Sequence, residues 1–401
     1  MRIYIKSLEP LENRYTSQWK ISIPEEIKNH YLSLGKRAQI VRYEDALQSR
    51  NDLEDYYNII EIVDVEGDNS EKEMNTEGKT FLDFINTNYW KSSQLIKFIK
   101  LINNNMLIKE DKILVTDAWD PTILQLKYMI SLTEKLKDIK IIGIWHAGSY
   151  DKNDFLGRLN NKSWTRNLER SLYYSIDHNC FSTMFHIFIF THLFLDEDDL
   201  RDFVMYEKDQ FIEEEMSKKK MILTGQPHDL MVREIEETVK EYPQKENIIL
   251  FPHRLAPEKQ LEIFIDLKDE FKDYEFIVCQ EKKLTKKEYH KLLSKSKMIF
   301  SANLQETLGI SVMEGILANN IVVVPDRLSY SEMYDDYFKY PSIWTMNHSS
   351  YKIHKKKLVE FIRERLENFD SVSTKNIIEK QKQILKEKYL NAKTLYKLIF
   401  T

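Results

Sequence analysis

The chain has 401 residues, of which 42% are hydrophobic and 31% are charged, and its net charge is −5. This composition excludes a disordered chain, and the length exceeds the size at which one hydrophobic core usually stops growing, so two domains are expected. The two cysteines, Cys180 and Cys279, lie far apart and have no metal-type partners nearby in sequence, which indicates a reducing, cytoplasmic location.

No signal peptide or transmembrane segment is predicted. The first residues, MRIYIKSLEP, read as a short strand followed by polar residues and not as the apolar region of a signal peptide. The most apolar stretch, FHIFIFTHLFL, is about half the length of a membrane span. It contains two histidines, so a buried strand is the better interpretation.

Short apolar or β-branched runs alternate with longer helical patterns along the chain. The predicted strands are RIYI, QIVRY, NIIEIVDV, KILVTD, IIGIW and HIFIFT, then MILTG, NIILFPH, EFIVCQ, KMIFSA and NIVVVPD. Strands and helices at this spacing predict an α/β protein with parallel sheets and crossover helices. The turn residues of TGQPHD place a boundary near residue 222, which gives domains 1–221 and 222–374.

Two cations follow the predicted strand NIILF. In PHRLAPEKQLEIFIDL, Pro257 takes the N1 position of a predicted helix, Arg254 lies in the preceding loop, and Lys259 lies in the first turn. A first turn favours acidic side chains, so Lys259 is unfavourable there unless an anion offsets it. Together the two cations would clamp a diphosphate, whereas the alternative is a pair of ordinary surface residues.

Two carboxylates surround the next strand-to-helix junction. In SANLQETLGISVMEGILANN, Glu306 and Glu314 are separated by eight positions, and a helix is predicted to begin at Gly309 and to end at Asn319. The backbone N–H groups of residues 307–310 would bind a phosphate at the helix start. The carboxylates would accept hydrogen bonds from the ribose and sugar hydroxyls of a sugar nucleotide, unless Glu306 merely caps and Glu314 is solvated.

Residues 222–335 resemble the retaining GT-B glycosyltransferases of family 4. That family carries an Arg-Leu-x-Pro-Glu-Lys signature and a Glu-x7-Glu signature followed by a hydrophobic strand. The matching positions are Arg254, Leu255, Pro257, Glu258, Lys259, Glu306, Gly309 and Glu314, followed by IVVVPD. The resemblance implies a GT-B fold, in which two Rossmann-like domains have parallel sheets that face a central cleft.

The resemblance also implies residue roles in the second domain. Arg254 and Lys259 would hold the donor diphosphate, Glu314 the ribose, and Glu306 the donor sugar near the reacting carbon. The loop at the helix start completes the donor site with Thr307, Leu308 and Gly309. The second glycine usual in the family is Thr307 or Leu308 here.

The first domain matches the family less well. A glycine-rich loop usually follows the first strand, but LEPLENRYTSQW contains no glycine. His146, after IIGIW, matches a histidine that lines the reaction centre, although a structural histidine is the alternative. Asp117 and Asp120, after KILV, are candidates for binding acceptor hydroxyls. Residues 375–401 are expected to pack back on the first domain.

Metal and partner predictions concern two charged stretches. LDEDDL, residues 195–200, could be an Asp-x-Asp metal site. Acidic residues in the first turn of a helix explain the stretch equally well. The resemblance implies that the chemistry needs no cofactor and no metal. Residues 351–401 hold 13 basic and 6 acidic residues, which fits either a phosphate-rich or membrane-surface partner or a solvated helix face.

The two motifs are also similar to glycosyltransferases of tailed bacteriophages, some of which modify hydroxymethylated bases in DNA. Lys355, Lys356 and Lys357 would contact such a duplex, in the host cytoplasm. The sequence therefore predicts a retaining glycosyltransferase that moves a sugar from a UDP- or GDP-sugar to a hydroxyl acceptor, with front-face substitution as the resemblance implies. The alternatives are a sugar-nucleotide epimerase or hydrolase on the same fold, and a catalytically silent binding subunit.

Overall fold

The computed structural model describes residues 1–9, 18–50, 59–69, 84–194 and 203–400, with residues 203–207 described by their backbone only. It divides into two compact units. The first comprises Met1–Ser182, Ile187–Pro227 and Ala392–Thr401, and the second comprises Thr183–His186 and His228–Asn391. None of the described helices combines the length and the apolar composition needed to cross a bilayer.

The first unit is built on a seven-stranded sheet. Its strands are β1 (Arg2–Lys6), β2 (Arg37–Val41), β3 (Ile59–Asp64), β4 (Lys112–Val115), β5 (Lys140–Ile144), β6 (His178–Phe181) and β7 (Met221–Leu223). The helices up to β7 are α1 (Trp19–Ser33), α2 (Tyr43–Gln48), α3 (Phe84–Asn103), α4 (Thr122–Leu132), α5 (Ser163–Ser175), α6 (Met184–Phe190) and α7 (Phe203–Ser217).

The sheet order is β2-β3-β1-β4-β5-β6-β7, and every neighbouring pair is parallel. One face carries the apolar residues Ile5, Ile62 and Leu114, which form a core with Trp19 and Ile23 of α1. The chain builds the sheet outward on both sides of β1, so β1 and β4 flank the point where the strand order reverses.

The second unit is built on a five-stranded sheet. Its strands are β8 (Ile248–Phe251), β9 (Glu275–Val278), β10 (Met298–Phe300), β11 (Ile321–Pro325) and β12 (Lys339–Tyr340). Its helices are α8 (Asp229–Glu241), α9 (Leu261–Leu267), α10 (Lys286–Lys295), α11 (Ile310–Leu317), α12 (Tyr330–Met333), α13 (His348–Glu367) and α14 (Val372–Lys388).

The order of this second sheet is β12-β11-β10-β8-β9, and its neighbouring strands are also parallel. The chain runs from β8 to β9 on one side and then to β10 on the other, so the order reverses between β8 and β10. Ligands of open α/β sheets bind beyond the carboxyl ends of the strands at such a point. The predicted α/β architecture with parallel sheets is confirmed, and the loops after β8 and β10 are the expected site.

One predicted strand is wrong. HIFIFT lies in α6 and in the 3₁₀ turn Thr191–Leu193, while the strand that precedes it is β6, with the sequence HNCF. Ile187, Ile189 and Phe190 are all buried, so the helix is apolar around most of its circumference. A short apolar run of this kind has no helical stripe, and its periodicity cannot separate a buried helix from a buried strand.

The unit boundaries differ from the predicted ones because tertiary pairing sets them. β7 pairs with β6, so the boundary predicted near residue 222 falls inside the first sheet. Of residues 375–401, only the last helix, α15 (Lys393–Phe400), belongs with the first unit, where Leu395 and Ile399 join the core against α1. Helix α14 belongs to the second unit.

Candidate functional site

The loops after β8 and β10 bring the predicted donor residues of the second unit together. Lys259 Nζ lies 3.1 Å from Glu306 Oε2 and donates to the carbonyl of Gln305 at 2.6 Å. Arg254 Nη2 donates to Glu258 Oε1 at 3.0 Å. The Lys259 side chain is only 5% exposed, so it is not an ordinary surface lysine.

Lys259 reaches this position because the helix predicted from Pro257 is broken. A 3₁₀ turn, Pro257–Lys259, has Pro257 at its start as predicted, and Gln260 then adopts a left-handed conformation with φ of 52° before α9 begins. The Gln260 side chain donates to the carbonyls of Ala302 and Thr345 at 2.5 and 2.8 Å, which fixes the turn against the loop after β10. The first turn thus holds Lys259 beside Glu306.

A buried polar network orients Glu306, and sequence reasoning missed its members. Asn303 Nδ2 donates to Glu306 Oε2 at 3.2 Å and to Tyr330 Oη at 2.9 Å. Both Asn303 and Tyr330 are fully buried. Asn303 lies in the polar run directly after a strand, and this position could have identified it as a candidate site residue. No local sequence pattern identifies Tyr330 in the same way.

His253 is a second missed residue. It follows β8, is 4% exposed, and its Nδ1 lies 3.4 Å from Asn303 Nδ2 and from Ser311 Oγ. Burial, and then the neighbouring charge of Lys259, lower the pKa of His253 well below its usual value. The imidazole is therefore neutral at physiological pH and adds a hydrogen-bonding group, not a charge, to the start of α11.

Helix α11 begins as predicted after Gly309, which has φ of 80° and provides no side-chain cap. No side chain caps this helix start, and an uncapped helix start is a place where an anion can bind. Leu308 is buried in the core of the second unit, so its side chain packs and does not face a ligand. Asn319, with φ of 65°, ends the helix in the left-handed conformation that the sequence predicted.

We expect Gly309→Ala to destabilise the second unit. A Cβ at this position would lie 2.8 Å from Tyr330 Cε1, in addition to the unfavourable positive φ. Gly35→Ala is the matched control, because Gly35 has φ of 72° with open space around its Cβ position. The variant at Gly309 should lose about 1–3 kcal/mol more than the control. Thermal unfolding measures the difference, and equal losses would show that Tyr330 moves freely.

Glu314 is not the solvated helix residue that the alternative interpretation described. It is 7% exposed and accepts a hydrogen bond from Tyr289 Oη at 2.9 Å. Burial raises its pKa from 4.5 to about 7, partly offset by the Tyr289 hydrogen bond. A buried carboxyl group with a raised pKa is typical of a binding site, where a ligand hydroxyl group can donate a hydrogen bond to it.

We expect the stability contribution of Glu314 to fall between about pH 4.5 and 7. Its folded pKa, about 7, lies above the ordinary 4.5, so the contribution is fully present below the lower value and is lost as pH rises through the higher one. Glu314→Gln should therefore raise the melting temperature relative to wild type more at about pH 8 than at about pH 5. Glu262→Gln, at an exposed glutamate of the same unit, is the matched control.

A short segment of the second unit holds the loop of the predicted phosphate site. Thr183 Oγ1 donates to the carbonyl of Thr307 at 2.8 Å. Glu332 accepts hydrogen bonds from the N–H groups of Met184 and Phe185 at 3.0 and 2.6 Å. These contacts fix the peptide between Thr307 and Leu308 in one orientation.

No protein-family model and no curated protein matches the chain. Among solved structures, it is similar to the catalytic domain of starch synthase IV from Arabidopsis thaliana bound to ADP and acarbose, with a TM-score of 0.53 and 10% identity over 100% of this chain and 98% of that one. It is also similar to HepE from Anabaena in complex with UDP, with a TM-score of 0.52 and 10% identity over 99% of each chain.

The chain has the GT-B fold. A further similarity, to the pneumococcal O-GlcNAc transferase GtfA in complex with UDP and GlcNAc, has a TM-score of 0.47 at 12% identity; it covers 78% of this chain, which spans 60% of that protein. The identities are low, so the similarities to starch synthase IV and HepE show the fold alone.

In the first unit of this GT-B chain, the predicted residues have mostly internal partners. His146 Nε2 lies 2.8 Å from the carbonyl of Thr116, and its ring lies 5.3 Å from that of Trp19. Asp117 accepts hydrogen bonds from Lys91 Nζ at 2.8 Å and from the backbone N–H of Trp119, two residues later, at 3.1 Å.

Asp120 does not fit the predicted acceptor role. It is 2% exposed, one of its oxygens is paired with Lys6 Nζ, and the other accepts from the N–H and hydroxyl of Thr122. Both oxygens are therefore engaged inside the unit, because the buried Lys6 requires a counter-charge. Asp120 is therefore a structural counter-ion and not part of the candidate site.

The possible Asp-x-Asp metal site in LDEDDL, residues 195–200, lies outside the described residues, as does most of the glycine-free stretch 8–19. Within the ranges that the structure describes, no three His, Cys, Asp or Glu side chains gather as a metal site would require.

Proposed function

We propose that this chain is a retaining glycosyltransferase that binds a UDP- or GDP-sugar in its second unit and transfers the sugar to a hydroxyl acceptor. The Lys259–Glu306 pair, beside the uncapped start of α11 at the strand-order reversal, carries the proposal. The starch synthase IV structure contains ADP, and HepE structures contain UDP or UDP-glucose, which supports a nucleotide-sugar donor.

Each donor-site group has a role that its surroundings support. Arg254 and Lys259 neutralise charge on the leaving diphosphate, and the N–H groups at the start of α11, in the loop of Thr307, Leu308 and Gly309, bind its oxygens. Glu314, deeper in the helix, accepts hydrogen bonds from the ribose.

Glu306 is better placed to orient the sugar than to attack it. Its Oε2 oxygen already faces Lys259 Nζ and Asn303 Nδ2, and both contacts lower its nucleophilicity. This favours front-face substitution, in which the leaving diphosphate accepts the acceptor proton and the anomeric configuration is retained. The carboxylate stabilises positive charge that develops on the sugar ring.

Two rival functions use the same donor site and differ in outcome. An epimerase or hydrolase would change the labelled donor without an acceptor, and a silent binding subunit would bind UDP but leave every donor intact. The test is incubation with labelled UDP- and GDP-sugars, with and without a panel of hydroxyl acceptors. Acceptor-dependent transfer with retained anomeric configuration supports the proposal. Transfer with inverted configuration overturns it. Conversion of the donor without transfer, or UDP binding with every donor left intact, also overturns it.

We expect the reaction to proceed without a divalent ion. Arg254, Lys259 and the start of α11 supply the positive charge that a metal would otherwise provide at the leaving group. Activity should therefore survive excess EDTA with less than about a twofold change. Complete loss in EDTA, with recovery on adding Mn²⁺, would instead assign a metal to Asp196 and Asp198.

A hydroxymethylated base in phage DNA is one acceptor to test. Lys355 does not support it as predicted, because its Nζ lies 2.8 Å from Asp266 and 2.9 Å from Glu270. Lys356 and Lys357 are exposed on α13. If DNA is the acceptor, its affinity should fall steeply with salt, and Lys356→Glu with Lys357→Glu should reduce the salt slope. Absence of label on modified duplexes across all donors rejects this acceptor.

A further inference from the structure

Helix α10 places a tyrosine hydroxyl group against the carboxyl group that is proposed to bind the ribose. Tyr289 Oη donates to Glu314 Oε2 at 2.9 Å, across 25 positions of sequence. Tyr289 lies on α10 and Glu314 on α11, both in the second unit. The sequence motifs that predicted Glu314 include no residue of α10, so this contact adds a group that the donor motifs do not contain.

The start of α10 fixes where Tyr289 lies. Thr285 caps the helix in a capping box, in which its hydroxyl accepts from the N–H of Glu288 and Glu288 Oε2 accepts from the N–H of Thr285 at 2.8 Å. The N–H of Tyr289 then donates to the carbonyl of Thr285 at 2.9 Å. Because a capping box satisfies the first N–H groups of a helix, Tyr289 approaches Glu314 from a well-defined first turn.

Other titratable groups also face Glu314. Lys286, three residues before Tyr289 and on the same side of α10, adds a positive charge that lowers the pKa of Glu314. Its Nζ lies 3.8 Å from Oε2 of Glu234 on α8. The thiol of Cys279, after β9, stays neutral because burial raises its pKa to about 12.

Four further elements pack against α11, namely the helices α8 and α14 and the strands β10 and β11. Within the part of the chain that the structure describes, they add no charge that shifts the pKa of Glu314. Tyr289 and Lys286 of α10 are therefore the groups that oppose the effect of burial on this carboxyl group.

The Tyr289 hydroxyl group remains a hydrogen-bond donor throughout the physiological pH range. Desolvation, and then the charge of Glu314, raise the pKa of Tyr289 well above its usual value. A hydroxyl group donates more strongly to a carboxylate than to a neutral carboxylic acid. The contact thus favours the ionised form of Glu314, which burial disfavours.

We propose that Tyr289 is a positioning residue of the donor site, which holds Glu314 Oε2 so that the other carboxylate oxygen meets the ribose of the sugar nucleotide. The inference rests on the proposed transferase function, in which Glu314 accepts hydrogen bonds from the ribose. A hydrogen bond to one carboxylate oxygen fixes the direction in which the second one points. Within the described residues no protein group donates to Oε1, which leaves that oxygen for the ligand.

The test measures donor binding by calorimetry between about pH 6 and 8.5, a range that spans the Glu314 pKa of about 7. The ligands are UDP-glucose and GDP-glucose, whose phosphates are both esterified and keep their charge over this range. The variants are Tyr289→Phe, which keeps the aromatic ring, and Glu314→Gln, which cannot ionise. Tyr351→Phe is the matched control, because Tyr351 Oη donates to Asp266 Oδ2 at 2.6 Å between α9 and α13.

Wild-type affinity for the donor should fall as pH falls through about 7, because Glu314 becomes protonated. Loss of a hydrogen bond to the charged form should make Glu314 about tenfold harder to ionise. Tyr289→Phe should therefore bind the donor about fivefold more weakly than wild type at about pH 7, and within about twofold at about pH 8.5. Tyr351→Phe should follow the wild-type profile, and Glu314→Gln should lose the pH dependence.

A tyrosine that only supports the fold would weaken binding by the same factor at every pH. That result, a wild-type profile in Tyr289→Phe, or an equal change in Tyr351→Phe would overturn the inference while the donor site stands. If Glu314→Gln kept the wild-type affinity and pH profile, the ribose role of Glu314 would be wrong. If the wild-type chain bound neither donor, the proposed function would fail and the inference with it.

Discussion

Lys259→Met should lower kcat/KM for the sugar nucleotide by about 10²–10³-fold, the largest effect expected in this chain. Lys259 is buried, and its ammonium lies against Glu306 and the carbonyl of Gln305. In the proposed complex it faces the leaving diphosphate from a site with little water, where a charge acts strongly. Arg254, whose side chain is 39% exposed, should matter less: Arg254→Ala should cost about 2 kcal/mol, or about 30-fold.

The measurement is donor turnover together with UDP affinity by calorimetry. Lys259→Arg should recover part of the lost activity because it restores the charge, although its planar head fits the site less well. Lys268→Met, at an exposed lysine of the same unit, is the control for loss of one positive charge. If Lys259→Met turned over the donor as fast as the wild type, with an unchanged melting temperature, Lys259 would not be part of the donor site.

The second large effect is expected in two variants that should differ in what they lose. Glu306→Gln should mainly lower turnover, whereas Glu314→Ala should mainly weaken UDP binding. Glu306 is proposed to touch the sugar, which UDP lacks, so Glu306→Gln should reduce turnover by about 10²-fold without weakening UDP binding. Its affinity for UDP should even rise, because Lys259 loses the negative charge that now faces it at 3.1 Å. Glu314→Ala should weaken UDP binding about tenfold or more, because the ribose loses its acceptor.

These two variants are best compared on UDP and on the intact donor in the same buffer, at about pH 8, where Glu314 is ionised. A third variant, Asn303→Ala, separates orientation from charge. It keeps both glutamates but removes the donor that holds Glu306, so it should lower turnover and spare UDP affinity. Equal effects of Glu306→Gln and Glu314→Ala on UDP binding would show that the two roles are wrongly assigned.

Local sequence was sufficient to predict the positions of much of the candidate donor site. Arg254 and Lys259 follow one strand and Glu306 follows another, and each position could be predicted from an apolar run, a turn and the start of a helix. The end of α11 at Asn319 was predictable for the same reason, since a left-handed stop depends on a few neighbouring residues. The parallel α/β architecture followed from the alternation of strand and helix patterns.

Contacts between distant segments could not be predicted in this way. Lys259 and Glu306 meet across 47 positions of sequence, and Lys6 and Asp120 across 114. The first contact places Lys259, which is unfavourable in its local helical turn, in the candidate site. The second contact makes Asp120, which was predicted to bind an acceptor, a structural counter-ion of Lys6. Both follow from which strand lies beside which, and hydrophobic periodicity carries no such information.

The sequence by itself thus determined the local elements, the parallel sheets and the donor motifs, because these depend on residues within one or two turns of each other. The tertiary structure decided that β7 completes the first sheet, that the apolar run after β6 is a helix, and that Lys259 meets Glu306. Sheet order brings these distant residues together, and that order is set by packing and hydrogen bonding over the whole chain.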